Sequence, residues 1–192
     1  KKFAKRILVS LGGSDSKNMT LNVLCALDQV NVDGLEIKVI VGPNNLHLYT
    51  LEKTVSNSKH KIDLLENVSS MPDLMAWADM AISSAGSTCW ELIYFGLPSI
   101  LIISSVNQVM NLEFLEKNGA VTFVSNRMNI STEMISRKIH HLIMEKELRN
   151  DMSQKGKLLV DGIGSERVVK TFLTRKINTE VNNERENSSV NI

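Results

Sequence analysis

The sequence predicts an α/β domain: a doubly wound, Rossmann-like sheet of six parallel strands with helices on both faces. Two observations carry that prediction. Short apolar runs of strand length alternate with helical patterns almost to the end of the chain. Six short apolar strands separated by helices call for a parallel sheet covered on both faces. Two loops rich in glycine and serine follow the first and fourth of these strands, where open α/β sheets bind ligands.

Taken in order, residues 6–11 form the first strand candidate, followed by Gly12, Gly13 and a helix over about 18–30. Residues 35–41 are the second strand, closed by the turn at Gly42 and Pro43, and a weaker helical pattern covers 46–55. A third strand spans 61–65. Ser70, Met71, Pro72 and Asp73 then start a helix, with a capping hydroxyl, a proline in the first turn and an acid three residues on. The fourth strand is 80–83 and the next helix 88–95. Gly96 and Pro98 stop that helix, and 99–103 is the fifth strand. A helix over about 107–117 ends at Asn118 and Gly119, 120–124 is a short sixth strand, and two or three helices complete the domain near Arg175. Right-handed crossovers give the strand order 3-2-1-4-5-6, which reverses between the first and fourth strands.

Residues 1–175 thus read as one domain. Residues 176–192, polar and poor in apolar side chains, read as a disordered tail. The first residue is Lys1, not Met, and a strand begins within a few residues, as expected of a piece of a longer chain or of a processed or tagged one.

The balance of charge narrows the function. The 192 residues carry a net charge of +1, so no global field recruits nucleic acid, and no basic stripe with interleaved aromatics is present. The longest apolar runs are too short to span a bilayer, and residues 1–10 lack the pattern of a secretory signal. Cys25 and Cys89 are isolated within apolar helical patterns, fitting reduced, buried residues of a soluble cytoplasmic protein. None of the four histidines (His47, His60 and the adjacent His140 and His141) joins a cluster with ligand spacing, so no protein-built metal site is expected. There is no Gly-x-Ser-x-Gly elbow to support a nucleophilic serine.

Two loops and one dipeptide hold the candidate chemistry. In "ISSAGSTCWEL", residues 82–92, a strand ends, a small-residue loop turns and a helix starts near Thr88. Free N–H groups, Gly86 for close backbone approach, and the hydroxyls of Ser87 and Thr88 can cradle a phosphate. Glu91, one turn on, can accept from both hydroxyls of a ribose. Thr88-x-x-Glu91 equally fits a capping box that merely starts the helix. In "SLGGSDSKN", residues 10–18, Gly12 and Gly13 let backbone amides face an anion, and Ser14 and Ser16 can donate to it. This loop is neither a dinucleotide fingerprint nor a P-loop, and it also reads as an ordinary turn. Asn107 and Gln108, two amides at a helix start, suit sugar hydroxyls or an N-acetyl group as well as they suit a plain helix cap.

Together "ILVSLGGSD", "LLENVSSMPDLMAWADMAISSAGSTCWELIYFGLPSILI" and "NQVMNLEFLEKNGA" resemble the carboxyl-terminal, donor-binding domain of GT-B fold nucleotide-sugar enzymes. Two branches compete. One is the MurG-like N-acetylglucosaminyltransferases. The other is the UDP-sugar hydrolase of pseudaminic acid biosynthesis and its SpsG-type spore-coat relatives, which the run Gly12-Gly13-Ser14-Asp15 followed by Lys17, Asn18 and Thr20 favours.

The resemblance implies a UDP-sugar ligand and no cofactor, with the diphosphate at Gly12, Gly13, Ser14, Gly86, Ser87 and Thr88. It implies ribose on Glu91, uracil against Val68 and Met71, and the sugar or its phosphates facing Asn107 and Gln108. It also implies an amino-terminal GT-B domain, absent from this sequence, that supplies the acceptor side and the catalytic base. The chain is therefore expected to bind a nucleotide sugar without turning it over alone. A non-catalytic nucleotide-sugar sensor is the third reading.

Overall fold

A computed structural model of the chain describes residues 1–103, 108–124 and 130–174. The strands are β1 (Arg6–Ser10), β2 (Glu36–Ile40), β3 (Lys61–Leu65), β4 (Met80–Ser84), β5 (Ser99–Ile102) and β6 (Thr122–Val124). Every pair is parallel and the order is β3-β2-β1-β4-β5-β6, so the predicted topology and its reversal at β1/β4 are both present. The helices of this unit are α1 (Met19–Asp28), α2 (Leu48–Ser56), α3 (Met71–Trp77), α4 (Thr88–Tyr94), α5 (Val109–Lys117), α6 (Thr132–Met144) and α7 (Lys146–Leu159). The chain divides into two compact units, Lys1–Val160 and Asp161–Ile192, and in the second a helix covers residues 164–174. The predicted tail at 176–192 lies outside the described residues.

The central strands are apolar throughout because successive side chains feed two different cores. Ile7 and Val9 of β1, with Met80 and Ile82 of β4, pack against Val23, Leu24 and Leu27 of α1 and Ile135 and Ile139 of α6. Between them in sequence, Leu8 and Ala81 face the opposite side, against Met75 of α3 and Leu92 of α4. Leu101 of β5 joins Cys89, Leu112 and Leu115 on that side. Burying a leucine of this kind stabilises the fold by roughly 1.5–3 kcal/mol, and the period of two forces the alternation.

Local signals placed most element ends within two residues. β3 occupies the predicted 61–65, and Ser70 caps α3, its side chain accepting from the Asp73 N–H with Pro72 in the first turn. One expectation fails. Cys89 is buried, but Cys25 is exposed, because on α1 the inward stripe is Val23, Leu24, Ala26 and Leu27 and residue 25 falls on the outer face.

Two polar clusters tie the chain together away from the loops of interest. Asp79, at the start of β4, accepts from the backbone N–H groups of Lys5 and Arg6, both at 3.0 Å, and pairs with Lys1 at 2.8 Å and Arg6 at 3.2 Å. Burial alone would raise its pKa, but those donors outweigh burial and hold it at about 2. The buried guanidinium of Arg149, on α7, donates to the carbonyls of Leu142 and Ile143 at the end of α6, and to those of Lys1 and Lys2. It satisfies carbonyls that a helix end leaves without an intrahelical partner.

Candidate functional site

The first loop leaves β1 through Leu11 and is shaped by glycine. Gly12 sits at φ +99°, in the left-handed region. A Cβ on Gly13 would meet nothing within 4 Å, so this backbone is bare toward solvent. Its position is fixed from behind by Gly42, just past β2. A Cβ there would lie 2.3 Å from the Gly13 carbonyl oxygen and 2.4 Å from its Cα, so only glycine fits. The Asn44 N–H donates to that same Gly13 carbonyl at 3.1 Å. Sequence reasoning took Gly42 for a turn residue. Its function is to let two backbones touch.

Asp15 governs the start of α1. It is buried, at φ +39°, and its carboxylate oxygens accept from Met19 N–H and Thr20 N–H, each at 2.8 Å. Asn18, the residue adjoining the helix, makes no side-chain cap. The acid therefore fills the position at the positive end of α1 that an anion would otherwise take.

The second loop leaves β4. Ser83, fully buried, donates its hydroxyl to the Ser10 carbonyl at 2.8 Å and locks the ends of β1 and β4 together. Gly86 is half-buried, Ser87 exposed and Thr88 half-buried. The capping box does not form: Ser87 is the N-cap, in helical conformation and without a side-chain cap bond, and Thr88 is already the first helical residue. The exposed Glu91 carboxylate makes no hydrogen bond or ion pair among the described residues. The local structural explanation for this acid is thereby removed.

Against the first loop and the end of β4 lies an open cavity of about 290 Å³, near the lower end for a small-molecule site. Of the predicted residues, Gly12, Gly13, Ser14 and Gln108 line it, together with Asp15, Ser16, Lys17 and Ser84. Gly86 adjoins it: a Cβ there would be 3.6 Å from Ser84 Oγ and 3.9 Å from Gln108 Nε2. Ser87, Thr88 and Glu91 follow on α4 but do not line it. Val68, half-buried in the β3–α3 loop, and Met71, at the start of α3 against the second core, also lie off its walls. Asn107 falls outside the described residues. Among the described residues no group of three or more His, Cys, Asp or Glu side chains could hold a metal ion. No described helix is long and apolar enough to cross a membrane.

The profile of the glycosyltransferase family 28 C-terminal domain matches residues 6–163. The chain belongs to that family. Its similarity to the spore coat polysaccharide biosynthesis protein SpsG of Bacillus subtilis is 28% identity over 169 residues, covering 88% of this chain and 50% of that protein. It is also 28% identical over 166 residues to the UDP-N-acetylglucosamine–N-acetylmuramyl-(pentapeptide) pyrophosphoryl-undecaprenol N-acetylglucosamine transferase of Caldanaerobacter subterraneus, covering 81% of this chain and 44% of the transferase. The crystal structure of Acinetobacter baumannii MurG superposes with a TM-score of 0.77 at 20% identity, over 88% of this chain and 49% of that one. The chain thus has the carboxyl-terminal GT-B fold and spans about half the length of the relatives it matches.

For this family 28 domain, sequence reasoning missed three residues of the loop region: Asp15, Gly42 and Ser84. Ser84 alone had a readable signal. It shares the strand parity of Met80 and Ile82, so it faces the side on which α1 and the Gly12 loop lie.

Proposed function

We propose that this chain is the donor half of a metal-independent enzyme that cleaves a UDP-linked sugar at its anomeric carbon. The observation that carries the reading is the cavity at the β1/β4 reversal of a family 28 domain, walled by bare backbone at Gly12 and Gly13, by the Ser14 and Ser84 hydroxyls and by the Gln108 amide. Such fixed donors stabilise negative charge without reorganising. The diphosphate lies between Gly12, Gly13 and Ser14 on one side and Gly86, Ser87 and Thr88 on the other. Glu91 takes the ribose, the Val68–Met71 loop the uracil, and Asn107 and Gln108 the sugar. Among the described residues lining the cavity the one carboxylate, Asp15, is engaged by α1. The general base therefore belongs to a second domain, which makes up the other half of the enzyme.

In the hydrolase form, that base takes a proton from water, the water oxygen bonds to the anomeric carbon, and the bond to the diphosphate breaks, releasing UDP. The SpsG similarity and the Gly12-Gly13-Ser14-Asp15 loop favour this form in surface-polysaccharide or nonulosonic acid biosynthesis. The similarity to N-acetylglucosamine transferases supports a second form, in which an acceptor hydroxyl replaces water.

Glu91→Gln tests the site. Because the carboxylate makes no bond within the described fold, the variant keeps its thermal stability. UDP affinity falls by roughly 1.5–3 kcal/mol, on the order of tenfold to a hundredfold, through loss of charge-assisted bonds to ribose. The loss is smaller for 2′-deoxy-UDP, which lacks one hydroxyl. Equal affinity of wild type and variant for UDP removes Glu91 from the site. No UDP binding by wild type at millimolar ligand rejects the reading.

A further inference from the structure

We propose that Lys17 and Ser84 are the side chains through which the cavity engages the diphosphate, Lys17 as its counter-charge and Ser84 as a hydroxyl donor from the floor. The inference rests on the nucleotide-sugar reading above and names residues that neither the sequence patterns nor the family match assigns.

The first support is electrostatic. The N–H groups of Met19 and Thr20 at the start of the ten-residue α1 are taken by the two oxygens of Asp15. A phosphate therefore cannot use them, and the negative charge of Asp15 is turned inward. Lys17 is the only cationic side chain among the described residues lining the cavity, and it is exposed. No cluster able to hold a metal stands among those residues. Among the described residues lining the cavity, the cation a diphosphate meets is Lys17, and an ammonium on a flexible stem can follow it.

The second support is independent of charge. Ser84, the last residue of β4, is only 7% exposed, yet its hydroxyl has no hydrogen-bond partner among the described residues. Both backbone positions above it are glycine. A Cβ on Gly12 would come within 3.9 Å of Ser84 Oγ, and one on Gly86 within 3.6 Å. Side chains at these two points would roof over the hydroxyl, and their absence leaves it open to the cavity it lines. The hydroxyl oxygen is reached by solvent from the cavity and holds no bond among the described residues, so it can donate to a ligand there. A ligand oxygen arriving through that gap accepts that bond.

Calorimetric titration of this chain with UDP and with uridine, in chelator and without divalent ions, tests the assignment. Lys17→Gln weakens UDP by about tenfold or more and leaves uridine unchanged, since only UDP carries the charge. Its UDP affinity also depends less steeply on salt. Lys17→Arg, keeping the charge, stays within about threefold of wild type. Ser84→Ala weakens UDP by roughly three- to tenfold, again sparing uridine, with an unchanged unfolding midpoint. Unchanged UDP affinity in Lys17→Gln, or a loss shared equally by uridine, overturns the proposal while the nucleotide-sugar reading stands. Absence of UDP binding by wild type overturns both.

Discussion

Gly42→Ala probes the link between fold and site most directly. The added methyl would sit 2.3 Å from the Gly13 carbonyl oxygen, 2.4 Å from Gly13 Cα and 2.6 Å from Gly13 C, where ordinary contact begins near 3.4 Å. Relief requires the Gly12–Gly13 backbone to retreat by about 1 Å, which is overpacking against main chain and costs about 1–3 kcal/mol. That movement also strains the 3.1 Å bond from Asn44 N–H to the Gly13 carbonyl, a further 0.5–1.5 kcal/mol or so. Restricting the unfolded chain returns about 0.4–1 kcal/mol. The net expectation is a loss of about 1–4 kcal/mol in urea unfolding, together with weaker UDP binding because the cavity wall has shifted. Gly13→Ala is the control. Its Cβ meets nothing within 4 Å and its φ lies outside the left-handed region. Stability is therefore unchanged or slightly higher, while the methyl stands in the cavity and lowers UDP affinity. A Gly42→Ala protein as stable as wild type would refute the close-approach argument. A Gly13→Ala protein that binds UDP normally would show that no ligand approaches that backbone.

Three further outcomes follow from the same structure. Asp79 titrates at about 2 in the folded chain against 3.8 unperturbed; a depressed carboxyl pKa stabilises above the unfolded value and loses that contribution as pH falls through the folded one. Wild type should therefore exceed Asp79→Asn by about 2 kcal/mol at pH 7, with the gap closing between about pH 4 and pH 2; a gap independent of pH in urea titrations would refute it. Arg149→Met removes a donor from the carbonyls of Leu142, Lys1 and Lys2 and one of two donors from that of Ile143, which keeps the Ala4 N–H, and should cost about 2–4 kcal/mol, with Arg149→Lys failing to restore it; a midpoint unchanged in chemical denaturation would contradict this. Cys25, exposed, should react with a thiol reagent in the native protein, whereas Cys89, whose thiol burial pushes up to about 11, should react only on unfolding; fast native labelling of both would disprove the burial of Cys89.

Much of the fold was legible because its determinants are local or periodic. The alternation of apolar strands with helices fixes a parallel sheet, and right-handed crossovers then leave few strand orders, so β1 and β4 as the flanks of the cavity follow from sequence. The Ser70 cap depends on residues only three apart and was equally readable. Two neighbouring glycines after a buried strand likewise announced a bare loop.

What only the tertiary structure decided depends on groups distant in sequence or on the orientation of a single turn. Thr88-x-x-Glu91 has the composition of a capping box, but Ser87 is the N-cap and Thr88 already the first helical residue, which leaves Glu91 without a structural partner among the described residues. Asp15 bonds to the start of α1 only because the intervening backbone enters the left-handed region at Asp15 and Asn18. Gly42 must be glycine because β1 and β2 pair in a register that brings its backbone onto Gly13. Ser84 becomes the floor of the cavity because two glycines from different loops leave it uncovered. Local sequence sets where a strand or helix begins. Which side chains meet across 30 or 70 residues is set by the register of the sheet, and the sheet itself is a property of the whole chain.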